Sequence, residues 1–161
     1  MMKFRNFVFM LYALAFLFAE TVFAGDVYWN NAGGGNWNTG SNWNTGTVPQ
    51  TGDDVHIVLA GTYTVTLDAN VNLNSLEIGA GSGVQTLAAA SRTIALTNGG
   101  AINPNGVINL TASTLSGGAF TNSGTLILKY NNTISANIDN AGTIEVHHAS
   151  SYNTMTGALT T

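Results

Sequence analysis

The sequence contains no cysteine. That excludes disulfides, thiolate metal sites and cysteine nucleophiles. Small exported eukaryotic domains usually carry disulfides, so in an exported chain the absence points towards a bacterial product. Charge is almost as scarce. Asp, Glu, Lys and Arg make up 7% of the chain, four basic residues against eight acidic. Lys3 and Arg5 lie at the N-terminus, which leaves only Arg92 and Lys129 for the rest of the chain. Such a chain has no basic footprint for nucleic acid and no polybasic segment for anionic membranes.

What is present begins with a leader. Lys3 and Arg5 precede the apolar run "FVFMLYALAFLFA" (Phe7–Ala19), which is short for a membrane span. "TVFA" then places Val22 and Ala24 at the small-residue positions of a cleavage site. The pattern predicts a signal peptide over residues 1–24, cut between Ala24 and Gly25, and export of the remainder. No later segment reads as a membrane-spanning helix.

The remainder is rich in Asn, Thr, Gly, Ala and Ser, with Val, Ile and Leu recurring at spacing two, a pattern that disordered chains lack. A dozen residues recur three times at a constant step. The copies are "GGAINPNGVINL" (Gly99–Leu110), "GGAFTNSGTLIL" (Gly117–Leu128) and "SANIDNAGTIEV" (Ser135–Val146). Gly106, Gly124 and Gly142 align at the turn. Ile102, Phe120 and Ile138 align before it; Ile108, Leu126 and Ile144, then Leu110, Leu128 and Val146, align after it. Apolar alternation marks a strand with one buried face. The Asn/Gly cluster marks a tight turn that tolerates positive φ.

A fixed period near 20 with one or two short strands per period is a solenoid signature. The same step carries Leu76 and Ile78 onto Ile94 and Leu96. With slips of one and then three residues, it carries Leu115 onto Ile134 and Met155. The expected fold is all-β, a right-handed parallel β-helix of about 18–21-residue coils, its handedness taken from the crossover rule. Roughly six or seven coils would stack at the strand spacing of about 4.8 Å. Asn122 and Asn140 share a turn position and are expected to form an amide ladder, interrupted below by Pro104. Met155 and Leu159 would begin a coil that further coils, or another chain, would have to cover.

Residues 25–60 differ. They hold Trp29, Trp37 and Trp43 with many Gly and Asn, the acidic pair Asp53–Asp54 and the strand "VHIVL". The expectation is a cap over the open end of repeats spanning residues 61–161. The competing reading makes the three indoles an exposed platform for sugar rings.

This opening, "YWNNAGGGNWNTGSNWNTGTVPQTGDDVHI" (Tyr28–Ile57), resembles the W-x-G-x-W…NW…G-x-x-P…GD-x-V-x-I start of large exported bacterial β-helix proteins. These are autotransporter-type passengers and relatives of filamentous-haemagglutinin adhesins, and the looser N-x-G-[TV]-[LI] repeats extend the likeness to Val146. The resemblance implies a surface-exposed structural or adhesive protein whose partner is a host-cell or matrix glycan or protein. It covers an N-terminal portion of such a protein, without a translocator barrel or sorting signal in the sequence.

Chemistry finds little purchase. A polysaccharide-active β-helix, the alternative function, needs clustered carboxylates or cations, but Arg92 and Lys129 are two coils apart and Asp53–Asp54 point to opposite faces. His147 and His148 diverge on a strand, so together they make a poor metal site. No catalytic residue, metal site or cofactor is expected, and the chain reads as a non-enzyme. An ice-binding solenoid needs a Thr-x-Thr ladder. "TYTVT" (Thr62–Thr66) supplies one rung that the aligned repeats do not continue.

Overall fold

The computed structural model describes residues 24–147 and 152–161, and the leader reading falls outside it apart from Ala24. The described chain is all-β apart from one 3-10 turn, and every strand pairing is parallel save one isolated bridge, Trp29 with Trp43. The N-terminal segment contributes β1 (Asp26–Tyr28), β2 (Gly35–Asn36), the turn Gly40–Asn42 and β3 (Asp54–Ile57). Five coils of three strands follow. They are β4–β6 (Tyr63–Leu67, Val71–Leu73, Ser75–Ile78) and β7–β9 (Gln85–Ala90, Thr93–Leu96, Gly100–Ile102). Next come β10–β12 (Gly106–Thr111, Thr114–Gly117, Phe120–Asn122) and β13–β15 (Thr125–Lys129, Thr133–Ile134, Ile138–Asn140). The last are β16–β18 (Thr143–His147, Thr154–Met155, Leu159–Thr160).

Stacking gives three sheets, ordered β1-β3-β6-β9-β12-β15-β18, β2-β4-β7-β10-β13-β16 and β5-β8-β11-β14-β17. Here they are called the first, second and third faces. The protein is a parallel β-solenoid. The sequence period implied six or seven coils with one or two strands each; the structure has five with three. The reason is that the apolar–x–apolar signature looks alike on all three faces, so neighbouring faces of one coil pass for successive coils.

The same ambiguity displaced two alignments. Leu76 and Ile78 do not lie under Ile94 and Leu96. They pair with Gly100 and Ile102 on the first face, while Ile94 and Leu96 stand over Val71 and Leu73 on the third. Phe120 does not sit over Ile102. It pairs with Gly100 below and Ile138 above, and Ile102 lies under Asn122. The coil below Phe120 is two residues longer than the constant repeat, which moves the glycine under the ring. A Cβ on Gly100 would come within 2.7 Å of Phe120 Cε2, so the ring occupies the space a side chain would need.

On the second face the sequence repeat and the register coincide. Ile108, Leu126 and Ile144 stack over Leu87, and Leu110, Leu128 and Val146 over Ala89. On the third, Leu115, Ile134 and Met155 stack in unequal steps, the second two residues longer than the first. These columns meet in one continuous apolar core running from Val27 to Ile138. Each fully buried aliphatic side chain contributes roughly 1.5–3 kcal/mol, and the ladder form lets every coil bury the face of its neighbour.

Polar ladders finish the corners. Asn122 Nδ2 donates to Asn140 Oδ1 at 2.6 Å, and the column ends below at Ile102 rather than at Pro104. A second ladder runs up the corner between the second and third faces. There Arg92, Ser113 and Asn132 each donate a backbone N–H to the side-chain oxygen one coil up, on Ser113, Asn132 and Asn153 at 2.8–3.1 Å. The chain turns this corner through residues with positive φ, Ser91, Ala112, Tyr130 and Asn131. Their recurrence in three successive coils shows that the corner is a built feature of the coil.

Gly106, Gly124 and Gly142 do stack, but not for the expected reason. None of them has a positive φ. A Cβ on Gly124 would run into the carbonyl oxygens of Asn103 and Gly106, and one on Gly142 into that of Gly124. Glycine is required there because successive backbones pass too closely for a side chain.

Candidate functional site

The three tryptophans define the N-terminal end of the core. Trp29, Trp37 and Trp43 are 2%, 1% and 2% exposed. Trp43 packs edge-on against both others, with ring centroids 4.7 Å from Trp37 and 5.0 Å from Trp29, and Trp29 stacks on Tyr63 of the first coil. Two of their polar edges are engaged internally: Trp29 Nε1 donates to Asn31 O at 2.6 Å and Trp43 Nε1 to Trp37 O at 2.8 Å. The glycan-platform reading of these residues is therefore corrected. An indole that stacks on a sugar must present a face to solvent, and these faces are covered by one another and by the first coil. Burial also pushes the Tyr63 hydroxyl up to about 12.

Asn31 and Asn42 hold the segment in place. Asn31 Nδ2 donates to Gly34 O and to Asn42 Oδ1, and Asn42 Nδ2 donates to Asn36 O. The buried Asp53 accepts from Gly25 N and Gln50 N and so ties the start of β1 to the loop before β3. Asp54 turns the other way, as strand alternation requires, and accepts from Asn74 Nδ2 and the Ser75 hydroxyl. Neither carboxylate is placed for a paired acid–base role.

The most concentrated ionisable group lies on the outer side of the first face. His56 Nδ1 is 2.9 Å from Glu77 Oε2 and its Nε2 is 3.2 Å from Asp26 Oδ1, while the ring stacks on Tyr28 at 4.5 Å. Glu77 also accepts from Asn103 Nδ2 at 2.9 Å. The hydrogen bond from His56, then that from Asn103, hold the Glu77 carboxyl below the usual range against the opposing effect of burial. The cluster links β1, β3 and β6, all within the first face. Sequence reasoning passed over His56 because its partners sit on different strands, Asp26 on the one stacked before it and Glu77 on the one stacked after.

Arg92 and Asp68 share a shallow depression on the second face, floored by Ala88 and Ala90, with Asn109 beside them. A second cleft runs between the loop Val48–Thr51 and the chain Ala69–Leu73, lined by the amides of Asn38, Gln50, Asn70 and Asn72. His147 Nε2 lies 3.4 Å from Glu145 Oε2; its neighbour His148 lies outside the described residues. Among the described residues no cluster of three His, Asp or Glu side chains forms a cation site, and no helix is long and apolar enough to cross a membrane.

Comparison with protein families, with curated proteins and with solved structures finds no match to this chain.

Proposed function

We propose that this chain is an exported structural or adhesive β-solenoid, the N-terminal part of a passenger-like surface protein. One observation carries the reading: the side-chain amides bind coil to coil. Asn98 reaches Asn74, Asn103 reaches Glu77, Asn122 reaches Asn140 and Asn132 reaches Asn153, each across one coil. A chain whose polar residues chiefly brace its own stack is suited to hold a surface away from a cell. The last described coil supports a place for further coils or another chain, since Val146, Met155 and Leu159 are 46%, 37% and 48% exposed beside the strand edges of β16–β18. The expected partners in adhesion are host-cell or matrix glycans or proteins.

Expression of the full chain in a bacterium with two membranes tests the reading. The expected product starts at Gly25 and is recovered outside the cytoplasm. A cytoplasmic chain that keeps Met1 would overturn it. The amide-lined cleft beside Val48–Thr51 favours the second reading, a carbohydrate-binding or polysaccharide-active β-helix. Glycan binding lost on Asn72→Ala, with the melting curve unchanged, would favour that alternative.

A further inference from the structure

The third face turns two columns of side chains outward. The first is Thr93, Thr114, Thr133 and Thr154, register partners on four consecutive coils. The second rises from Asn72 through Ala95 to Ser116. Backbone bonds from Ser135 N to Leu115 O at 2.9 Å and from Thr156 N to Ile134 O at 2.8 Å extend it to Ser135 and Thr156. The rungs therefore read Thr-x-Ala, Thr-x-Ser, Thr-x-Ser and Thr-x-Thr. The sequence repeats hid this ladder because its steps are unequal. Thr114 and Thr133 are two residues closer than the pairs on either side, and no step matches the constant one that carries Val107 to Thr125 and Thr143 on the second face. The rung in "TYTVT" has no Thr-x-Thr successor on its own face, as expected: Thr86-x-Ala88, Val107-x-Asn109 and Thr125-x-Ile127 stand above it, and the threonine ladder lies on a different face.

Three properties decide what this surface can bind. It carries no charged side chain, whereas the first face presents Asp26, Asp54, Glu77 and Asp139 and the second presents Lys129 and Glu145. The hydroxyls of its Thr and Ser residues have no hydrogen-bond partner among the described residues, although hydroxyls elsewhere, on Ser75, Ser113 and Thr160, are engaged. The rungs are also fixed. Thr114, Thr133 and Thr154 each donate a backbone N–H to the coil below, at 2.7–2.9 Å.

The grid that results repeats about every 4.8 Å along the stack and roughly 6.6 Å across a rung. Threonine is stiff at χ1, so its methyl and hydroxyl are held in place before anything binds and little side-chain entropy remains to be lost. A charged ligand would find no counter-charge here. A sugar ring would find no aromatic face. A rigid, neutral grid with a column of threonine methyls and two columns bearing free hydroxyls fits a lattice whose own units are water molecules. We propose that the third face binds ice: the methyls occupy the hollows of the outermost water layer and the hydroxyls join its hydrogen bonds. Individual contacts are weak, and the simultaneous engagement of all four rungs supplies the affinity. The proposal stands independently of the adhesive reading.

The test uses the full chain, with ice-crystal growth and partition into slowly growing ice as readouts. The parent should depress the growth temperature of ice and enrich in the solid. Thr133→Lys and Ser135→Lys place a charge on exposed positions of the face and should abolish both effects. Thr121→Lys, exposed on the first face, should retain them. Melting curves serve to show that each variant is folded, and either third-face variant suffices for the comparison. A folded parent excluded from ice, or third-face variants that behave like Thr121→Lys, would overturn the proposal. So would binding to powdered cellulose or chitin that these variants abolish while ice is ignored, which would mark the face as a polysaccharide surface.

Discussion

His56 lies between two carboxylates from different strands, with Nδ1 2.9 Å from Glu77 Oε2 and Nε2 3.2 Å from Asp26 Oδ1. The bond to Glu77 is the largest cause of its depressed carboxyl pKa, followed by that from Asn103. A folded-state pKa below the unfolded one contributes stability above the ordinary carboxylate range of about 4.3, and this is lost as pH falls through the depressed value. His56→Ala should therefore raise the pH at which Glu77 titrates. An NMR titration of the Glu77 side chain is the measurement. An unmoved midpoint would show that His56 does not hold the carboxylate. Glu77 is 41% exposed at its side chain, so the effect on global stability should be small.

Trp37 tests the cap. It is 1% exposed and packs against Trp43 at 4.7 Å. Trp37→Ala should cost on the order of 3–5 kcal/mol in denaturant unfolding, as large aromatic truncations in cores do. Because Trp43 Nε1 donates to the Trp37 carbonyl, which the variant keeps, the loss reports packing rather than that hydrogen bond. A change within about 0.5 kcal/mol, typical of a surface position, would mean that the segment is not part of the cooperative unit.

Two glycines separate two reasons for glycine. Gly124→Ala puts a methyl against the carbonyls of Asn103 and Gly106, both backbone, so the coils must part. The expected loss is about 1–3 kcal/mol from overpacking. Gly46 has φ +72° with nothing within 4 Å of the added Cβ, so Gly46→Ala should cost only the left-handed penalty, roughly 1–2 kcal/mol. The discriminating observation is the response to Asn. That residue tolerates the left-handed region, so Gly46→Asn should recover stability relative to Gly46→Ala, and Gly124→Asn should be worse than Gly124→Ala. Equal responses at the two sites would remove the distinction.

The second face was legible because its inward residues, from Ile108 to Val146, repeat at a constant offset, which shows in one alignment. The upper coils of the other two faces were legible too, Leu115 with Ile134 and Met155 on the third and Phe120 with Ile138 on the first; lower down they were not, because corners of different length shift the offsets independently. The step from Ile78 to its partner Ile102 is a third longer than that from Thr125 to Thr143. A side chain's face is fixed by strand alternation, which sequence shows. Its register is fixed by the corner, which sequence shows only where the corner repeats. Thus Phe120 was read as interior and proves 0% exposed, but was given the wrong neighbour below. The indoles were the opposite case: composition suggested both a cap and a platform, and only the packing of Trp29, Trp37 and Trp43 on one another separates them. The threonine ladder is legible in the same column, since Thr114, Thr133 and Thr154 directly precede Leu115, Ile134 and Met155, but a solvent-facing residue adds nothing to the apolar pattern that sets the alignment.

The corner ladder offers the sharpest test of how the coils are held. Asn132 is 1% exposed, and its side chain meets four polar groups. Its Oδ1 accepts from Ser113 N at 2.8 Å, while Nδ2 faces Leu110 O, Lys129 O and Asn153 Oδ1, and its own N–H donates to Asn153 Oδ1. Asn132→Ala strands a buried N–H on Ser113, and a stranded buried donor costs about 1–3 kcal/mol. Asn132→Asp keeps the acceptor for Ser113 but turns the donor edge into a second acceptor, facing Leu110 O and Lys129 O. Burying that charge among carbonyls should make the carboxylate the worse replacement despite its shape, and should make its deficit shrink as pH falls and the carboxyl protonates. The sign follows from linkage: the folded state disfavours the ionised form, so the introduced carboxyl has a pKa above its unfolded value and stability rises towards acid. Denaturant unfolding of both variants at neutral and mildly acidic pH is the measurement. If Asn132→Asp is as stable as the parent at neutral pH, the side chain is solvated and the corner ladder does not bind the coils.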